Sequence, residues 1–199
     1  MSIIFYQDHA RITRMIMTGS GARIEFDSRQ LLTVNQAVCV AEELISDFYK
    51  LSDSQLRQLN YDVKSRSQLA AHEIVDAHFA QIVRYRARKK DAVLETDATD
   101  FYLVCLQDHV ILDTIERFMA LRLYPFMLYV ICHELVHVVR FRRFLQNFHA
   151  PPEERQQEEI RVHHITRRIL RNSHTDGMEP VFDFYGDWQV AFDQMSEII

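Results

Sequence analysis

Glycine is almost absent from the body of this 199-residue chain. The chain has four glycines in total, and none of them lies between Thr33 and Gly177. Within that segment apolar residues recur every three or four positions, which is the spacing expected of helices with one buried face. We therefore predict that residues 33–172 are mainly helical.

Residues 1–30 show a different pattern, that of short apolar runs with a glycine turn, which predicts strands. The runs are Ile3 to Tyr6, Arg11 to Met17 and Ala22 to Phe26. We expect a small antiparallel sheet there and a C-terminal tail over residues 173–199. The predicted fold class is α+β, predominantly helical, in a single domain over residues 1–199.

Capping residues and prolines predict the individual helix boundaries. Thr33, Ser65 and Asp97 are candidate starts, because their side chains can accept from the free N–H groups of a first turn. Proline is poorly tolerated inside a helix, so Pro125 and the Pro151-Pro152 pair are expected at boundaries. These signals predict helices over residues 34–51, 65–88, 97–123, 126–148 and 153–171.

Composition argues against several classes of function. The formal net charge is −5, whereas a nucleic-acid-binding protein usually carries a basic excess to neutralise phosphates. The longest apolar stretch, Leu123 to Cys132, is interrupted by Pro125 and is shorter than the ~20 residues of a membrane span. Three cysteines form no disulfide framework, and the N-terminus lacks a signal-peptide pattern. We therefore expect a cytoplasmic protein with no nucleic-acid or membrane partner.

The segment with the clearest chemistry is the HExxH sequence His133-Glu134-Leu135-Val136-His137. On a helix, residues i and i+4 lie on one face, so His133 and His137 can offer two imidazole nitrogens to one ion. Glu134 stands beside them and can act as a general base. The pattern predicts a zinc site with an adjacent base.

A simpler interpretation is that His133 and His137 are core histidines whose partner is Glu134. The residues on either side, Val130 to Cys132 and Leu135 to Val139 apart from His137, are uncharged and apolar. An unpaired carboxylate on so apolar a helix is costly, which favours the metal interpretation.

A zinc site needs a third protein ligand and an open position for water, and the following helix offers candidates. Pro151-Pro152 supplies a chain reversal that allows this helix to pack against the HExxH helix. On its helical wheel Glu159 and His163 flank the apolar face, while Glu158 lies at the edge of that face. Glu159, His163 and Glu158 therefore remain alternative third ligands.

The two helices together resemble the gluzincin branch of the zincin superfamily of zinc metallopeptidases. In that branch a second helix carries ExxxD, in which the Glu is the third ligand and the Asp orients a ligand His. The resemblance implies that Glu159 is the third ligand, and it places His163 where the family has Asp. With this departure, His163 is either an orienting residue or itself a ligand.

The resemblance also implies a function, which is hydrolysis of a peptide or protein substrate with Zn²⁺ as cofactor and Glu134 as general base. Zincin peptidases usually have a β-sheet just before the HExxH helix, whereas here a long, mostly helical segment is predicted before it. Downstream Tyr185 and His174 are further candidate donors to a reacting oxygen.

Two alternatives remain. One is a non-catalytic metal-binding module with a structural or sensing role. The other is a di-iron carboxylate helical protein, because Glu134 and His137 also form an ExxH pair. The di-iron interpretation needs a second ExxH pair, and the chain contains none.

Overall fold

The computed structural model describes residues 3–6, 25–88 and 98–186. The helices in these residues are α1 (Ser28–Tyr49), α2 (Asp53–Gln58), α3 (Asp108–Arg117), α4 (Leu123–Arg142), α5 (Pro152–Arg171) and α6 (179–186). The strands are β1 (Ile3–Tyr6), β2 (Tyr61–Lys64), β3 (Ala80–Arg88) and β4 (Ala98–Leu106). The fold is α+β and mostly helical, which confirms the predicted class.

The four strands form one mixed sheet in the order β1-β3-β4-β2. The long strands β3 and β4 pair antiparallel along their whole length, from Ala80 opposite Leu106 to Arg88 opposite Ala98. β1 adds an antiparallel edge to β3, and β2 runs parallel to β4 at the other edge. Most of the sheet is therefore made by residues 61–106 and not by the N-terminal residues.

The prediction of helices over residues 65–88 and 97–123 is wrong where these ranges form strands. Residues 80–88 and 98–106 are strands, and short 3₁₀ turns at Arg66–Gln68 and Ala71–Glu73 precede β3. Neighbouring side chains of β3 point to opposite faces of the sheet, and Ile82 and Val83 are both fully buried in separate apolar clusters. Because both faces are covered, apolar residues follow one another without the alternation of a half-exposed strand.

Only part of the predicted N-terminal sheet falls on described residues. β1 confirms a strand at Ile3–Tyr6, whereas Arg11 to Met17 and Ala22 to residue 24 lie outside the described residues. The tail contains α6, and residues 187–199 also lie outside them.

Helix α1 begins earlier than the predicted cap at Thr33. Asp27 caps it by accepting from the backbone N–H groups of Arg29 and Gln30, and the Gln30 side chain accepts from the Asp27 N–H. Thr33 lies inside the helix and donates its hydroxyl to the Arg29 carbonyl. Asp27 and Thr33 both have side chains that can cap a helix. The capping box of Asp27 and Gln30 satisfies more free N–H groups than a single cap at Thr33 would.

Helix α4 lies at the centre of the core. Its residues from Pro125 to Phe141 are buried, with the exception of Glu134. It packs against α1, α5 and strand β3. Pro125 lies in its first turn, where no backbone donor is needed, so the helix begins before the proline rather than after it. Among the described residues, no helix combines the length and the apolar character needed to cross a bilayer.

Helix α5 starts at Pro152, as the Pro151-Pro152 pair predicts. Proline fits the first helical position because its missing N–H would have no partner there, and Glu153 and Glu154 complement the positive end of the helix dipole. The α4–α5 hairpin brings the HExxH helix and the predicted ligand helix together.

Candidate metal centre

Polar side chains line the interface between α4 and α5. On α4, Tyr129, His133 and His137 follow one another at intervals of four residues and so share one face. On α5, Glu159 and His163 share a face in the same way. Tyr129 contacts His163, and both α4 histidines contact Glu159. The two helices are therefore antiparallel, with these faces in register.

Three side-chain atoms converge at the middle of this interface. The Nε2 atoms of His133 and His137 are 3.2 Å apart. The Glu159 carboxylate lies 3.2 Å from His133 Nε2 and 3.1 Å from His137 Nε2. All three residues are buried, at 5, 1 and 4% exposure for His133, His137 and Glu159. Within the described part of the chain, this is the one group of three metal-ligating side chains that meet in this way.

These separations fit a tetrahedral zinc ion. Zinc binds imidazole nitrogen and carboxylate oxygen at about 2.0–2.2 Å, so two ligand atoms of a tetrahedral site lie about 3.3 Å apart. The three observed separations are all close to that value. Two imidazoles and one carboxylate are also the donor types that zinc prefers when a fourth position remains for water. The residues present therefore fit the ion that the HExxH motif predicts.

Gln146 orients His137 from outside this group. Its side-chain oxygen Oε1 lies 3.1 Å from His137 Nδ1 and accepts the proton of that nitrogen. A neutral His137 then presents the lone pair of Nε2 toward Glu159 and His133. Support of this kind for the second ring nitrogen is characteristic of metal-binding histidines.

The charge balance of the group favours a cation. Burial lowers the pKa of His137, but the adjacent Glu159 carboxylate, together with Glu134 and Gln146, more than offsets this, and the pKa is raised to about 9. A buried carboxylate needs a positive partner, because an unpaired charge in the interior is strongly destabilising. A proton on His137 or a metal ion between the three side chains would each satisfy Glu159.

Glu134 lies beside this group and lines a pocket. The pocket has a volume of about 300 Å³ including its open mouth, and it is lined by Phe79, Ala80, Val130, His133, Glu134, His163 and Tyr185. Burial raises the pKa of Glu134, while His133 and His137 pull it down less strongly. Glu134 is half-buried, whereas His133, His137 and Glu159 are buried. Glu134 is therefore placed to exchange a proton with a molecule bound there.

The three candidate third ligands differ in position. Glu159 meets the two histidines. Glu158 faces Arg140 and Arg161, with which it forms ion pairs, and it takes no part in the group. His163 lies next to the group, with its ring centroid 4.4 Å from that of His133, and its Nδ1 is hydrogen-bonded to Tyr129.

Sequence reasoning did not identify Tyr129 and Gln146. Tyr129 lies four residues before His133, so the helical spacing that pairs His133 with His137 also points to it. Gln146 is in the loop after α4, where no periodic signal exists. Of the two further donors considered, Tyr185 lines the pocket and His174 is not among the lining residues.

Comparison of the chain with protein-family models, curated proteins and solved structures found no match.

Proposed function

We propose that this protein is a zinc-dependent hydrolase that cleaves peptide bonds. The observation that carries the proposal is the meeting of His133, His137 and Glu159 at separations of 3.1–3.2 Å, with Glu134 on the adjoining pocket. His133, His137 and Glu159 would hold the ion. Bound there, zinc would supply Lewis-acid chemistry by lowering the pKa of water toward ~7 and polarising a carbonyl oxygen.

Glu134 would act as the general base and then as the acid. Its carboxylate accepts a proton from the attacking water as the water oxygen bonds to the scissile carbonyl carbon. Glu134 then returns that proton to the leaving nitrogen as the C–N bond breaks, which yields one carboxylic acid and one amine. Burial raises the pKa of Glu134, which makes its carboxylate a stronger proton acceptor.

The position of the sheet supports this proposal. Resemblance to the zincins implies a sheet just before the HExxH helix, whereas the periodicity of the sequence predicted a long, mostly helical segment there. That prediction was wrong, because β3 and β4 precede α4 with only α3 between them. Ala80, the first residue of β3, also lines the pocket that contains Glu134.

A structural metal site is the second candidate. The burial of all three ligand residues favours it, because they join α4 to α5 in the protein interior. The two candidates differ in the fourth coordination position, which is occupied by a protein atom in a structural site and by water in a catalytic one.

The substitution Glu134→Gln separates the two candidates. It keeps the shape of the side chain but removes the base, so we expect zinc content near the wild-type level and a fall in peptide hydrolysis of about 10²–10⁴-fold. Zinc would be measured by atomic emission and hydrolysis on a mixed peptide library.

The double variant His133→Ala/His137→Ala is the control and should contain no zinc. Loss of zinc from the Glu134→Gln protein would make Glu134 a ligand and contradict the assignment. Absence of hydrolysis by the zinc-loaded wild type would favour the structural site.

The free cysteines support a cytoplasmic location for this hydrolase. Cys105 and Cys132 are buried and Cys39 is exposed, and none of the three forms a disulfide. Burial raises the pKa of both the Cys105 and the Cys132 thiol, which keeps them protonated and poorly reactive. Thiols of this kind are typical of proteins from a reducing compartment.

A further inference from the structure

The loop after α4, residues 143–150, contacts the metal centre through Gln146. The Gln146 Oε1 atom lies 3.1 Å from Nδ1 of His137, which is 1% exposed. An amide oxygen only accepts hydrogen bonds, so Nδ1 must carry a proton whether the His137 ring is neutral or charged. The contact therefore leaves Nε2 as the nitrogen that can bind a metal, and Nε2 is the atom that meets His133 and Glu159.

Backbone hydrogen bonds fix the start of this loop. The Leu145 N–H donates to the Arg140 carbonyl at 2.9 Å, and the Phe144 N–H donates to the Phe141 carbonyl at 3.1 Å. These two bonds form the Schellman pattern of helix ends, in which one residue is left-handed, and Phe144 has a φ of 54°. The Phe144 side chain is 95% exposed and contributes little packing. Gln146 follows directly after this fixed turn.

A buried aromatic side chain fixes the other end of the loop. Phe148 is 5% exposed, and its ring centroid lies 4.8 Å from that of Phe141 and 6.2 Å from that of Tyr102. The Arg84 guanidinium of β3 lies 4.9 Å from the Phe148 ring centroid, and its Nη2 atom is 3.1 Å from His149 Nε2. The loop is thus held to α4 and to the sheet just after its contact with the metal centre.

The fixed segments on both sides restrict where Gln146 can place its oxygen. A side chain that is already in position loses little conformational freedom when a ligand binds, so less of the binding free energy is offset by ordering. Hydrogen bonds to the second nitrogen of a ligand histidine fix the tautomer and the orientation of the ring. The affinity of the centre for a metal should therefore depend on how this loop is held.

We propose that the loop after α4 sets the zinc affinity of the centre. Gln146 is the positioning residue that holds His137 in the metal-binding tautomer, and Phe148 holds Gln146 in place. The inference rests on the proposed zinc-dependent function. It extends the determinants of the site beyond α4 and α5 to the connection between them.

The first test compares Gln146→Leu, Gln146→Glu and Gln157→Leu by their zinc affinity, measured in competition with a chelator of known affinity. Gln157 is an exposed glutamine of α5 and provides the matched control, which should bind zinc as the wild type does. Gln146→Leu keeps the size of the side chain but removes the acceptor, so zinc should bind about 10–100-fold more weakly. Gln146→Glu keeps an acceptor oxygen and should bind zinc at least as tightly as the wild type.

The second test compares two Phe→Ala variants of the same loop. Phe148→Ala removes the buried ring and should weaken zinc binding. Phe144→Ala changes a side chain that is 95% exposed and should leave the affinity unchanged. Circular dichroism shows whether both variants keep the fold. Phe148→Leu retains most of the buried volume, and its zinc affinity should lie between those of Phe148→Ala and the wild type.

A third readout depends on neither affinity nor hydrolysis. NMR spectra of the ¹⁵N-labelled, zinc-loaded wild type should show His137 protonated on Nδ1. This proton should exchange with solvent faster in Gln146→Leu than in Gln157→Leu, because only the first variant lacks its acceptor.

Several results would overturn the inference. They are equal zinc affinities of Gln146→Leu and Gln157→Leu, equal affinities of Phe148→Ala and Phe144→Ala, and a loss in Gln146→Glu as large as in Gln146→Leu. An unprotonated His137 Nδ1 in the zinc-loaded protein would contradict the assigned tautomer. If zinc binds and responds to these variants as described but no peptide is hydrolysed, the proposed hydrolase function fails and the inference stands. A wild type that binds no zinc would refute both.

Discussion

Two carboxylates of the site have different surroundings, and their chemistry differs accordingly. Glu159 touches both histidine Nε2 atoms and is buried. Glu134 lies on the pocket, and its pKa is raised by burial. Environments that separate two carboxylates in this way commonly divide their roles, one binding a cation and the other transferring protons.

His78 is a third titratable group that the site influences. It is 6% exposed, and its Nδ1 has no hydrogen-bond partner among the described residues. Burial lowers the pKa of His78 to about 4, although the Glu159 carboxylate opposes the shift. The folded protein therefore binds fewer protons at this residue than the unfolded chain does between pH 4 and pH 6.5.

This shift predicts a specific loss of stability in acid. The contribution of neutral His78 is fully present above pH 6.5, falls as the pH decreases, and is lost at about pH 4, with a total change on the order of 3 kcal/mol. We expect His78→Gln to lack this component. Urea unfolding of both proteins at several pH values, with EDTA present throughout, gives the difference in unfolding free energy. Parallel curves from pH 4 to pH 7 would show that His78 does not titrate as described.

At the scale of elements, a buried ion pair holds α4 against α5. Arg140 and Glu158 are 8% and 6% exposed and are hydrogen-bonded to each other. Glu158 also pairs with Arg161 at 2.8 Å, but that arginine side chain is 57% exposed. The two arginines thus contact the same carboxylate from a buried and an exposed position.

We predict that these arginines contribute very differently to stability. Arg140→Met would leave a buried carboxylate without its buried partner and should lower the unfolding free energy by about 3–5 kcal/mol. Arg161→Met removes an exposed pair and should cost less than about 1 kcal/mol.

Chemical denaturation of the two variants measures both values. The double variant Arg140→Met/Glu158→Leu should recover most of the loss, since neither partner then leaves an unpaired charge buried. Equal losses in the two single variants would mean that Glu158 is as well solvated as a surface residue.

The glycine-free body of the chain also affects how its elements end. Left-handed backbone conformations occur at the non-glycine residues Lys50, Asn60, Phe144 and His174, with φ of 54, 60, 54 and 50°. Lys50 directly follows α1, and the other three lie in the connections after α2, α4 and α5. Absence of glycine therefore did not prevent reversals of the chain. It also did not distinguish helices from strands, because glycine is unfavourable inside both.

At the scale of the whole molecule, the proposed zinc ion would link the central helix α4 to α5, which packs against it. Its ligands come from α4 and α5, so metal binding should stabilise the folded state over the unfolded chain. We expect chelation to lower the midpoint of thermal unfolding by roughly 10 °C. This shift corresponds to losing about 4 kcal/mol of stabilisation, which is the contribution of bound zinc when its free concentration is in large excess over Kd.

Differential scanning fluorimetry of the zinc-loaded protein with and without EDTA measures this shift. The His133→Ala/His137→Ala variant serves as the control, and its midpoint should not respond to EDTA. An unchanged wild-type midpoint after complete removal of the metal would place the ion, if it binds, at a site that does not link the helices.

By itself, the sequence determined the features that depend on neighbours along the chain. The i, i+4 spacing of His133 and His137 placed both on one helical face, and Pro151-Pro152 predicted the start of α5 to within a residue. Both are local, because helical periodicity and the missing proline N–H act within one or two turns.

Only the tertiary structure showed that Glu159, and not Glu158 or His163, meets the Nε2 atoms of both histidines. Only it revealed the sheet in the middle of the chain. Glu158 and Glu159 differ by about 100° around the helix axis, so the packing angle of α5 on α4 selects which one meets the histidines. Strands β3 and β4 depend on pairing between residues up to 26 positions apart, as in Ala80 with Leu106. Burial on both faces removed the alternation that would have identified them. The contact of Gln146 with His137 likewise depends on how the loop after α4 folds back, which no periodicity in the sequence encodes.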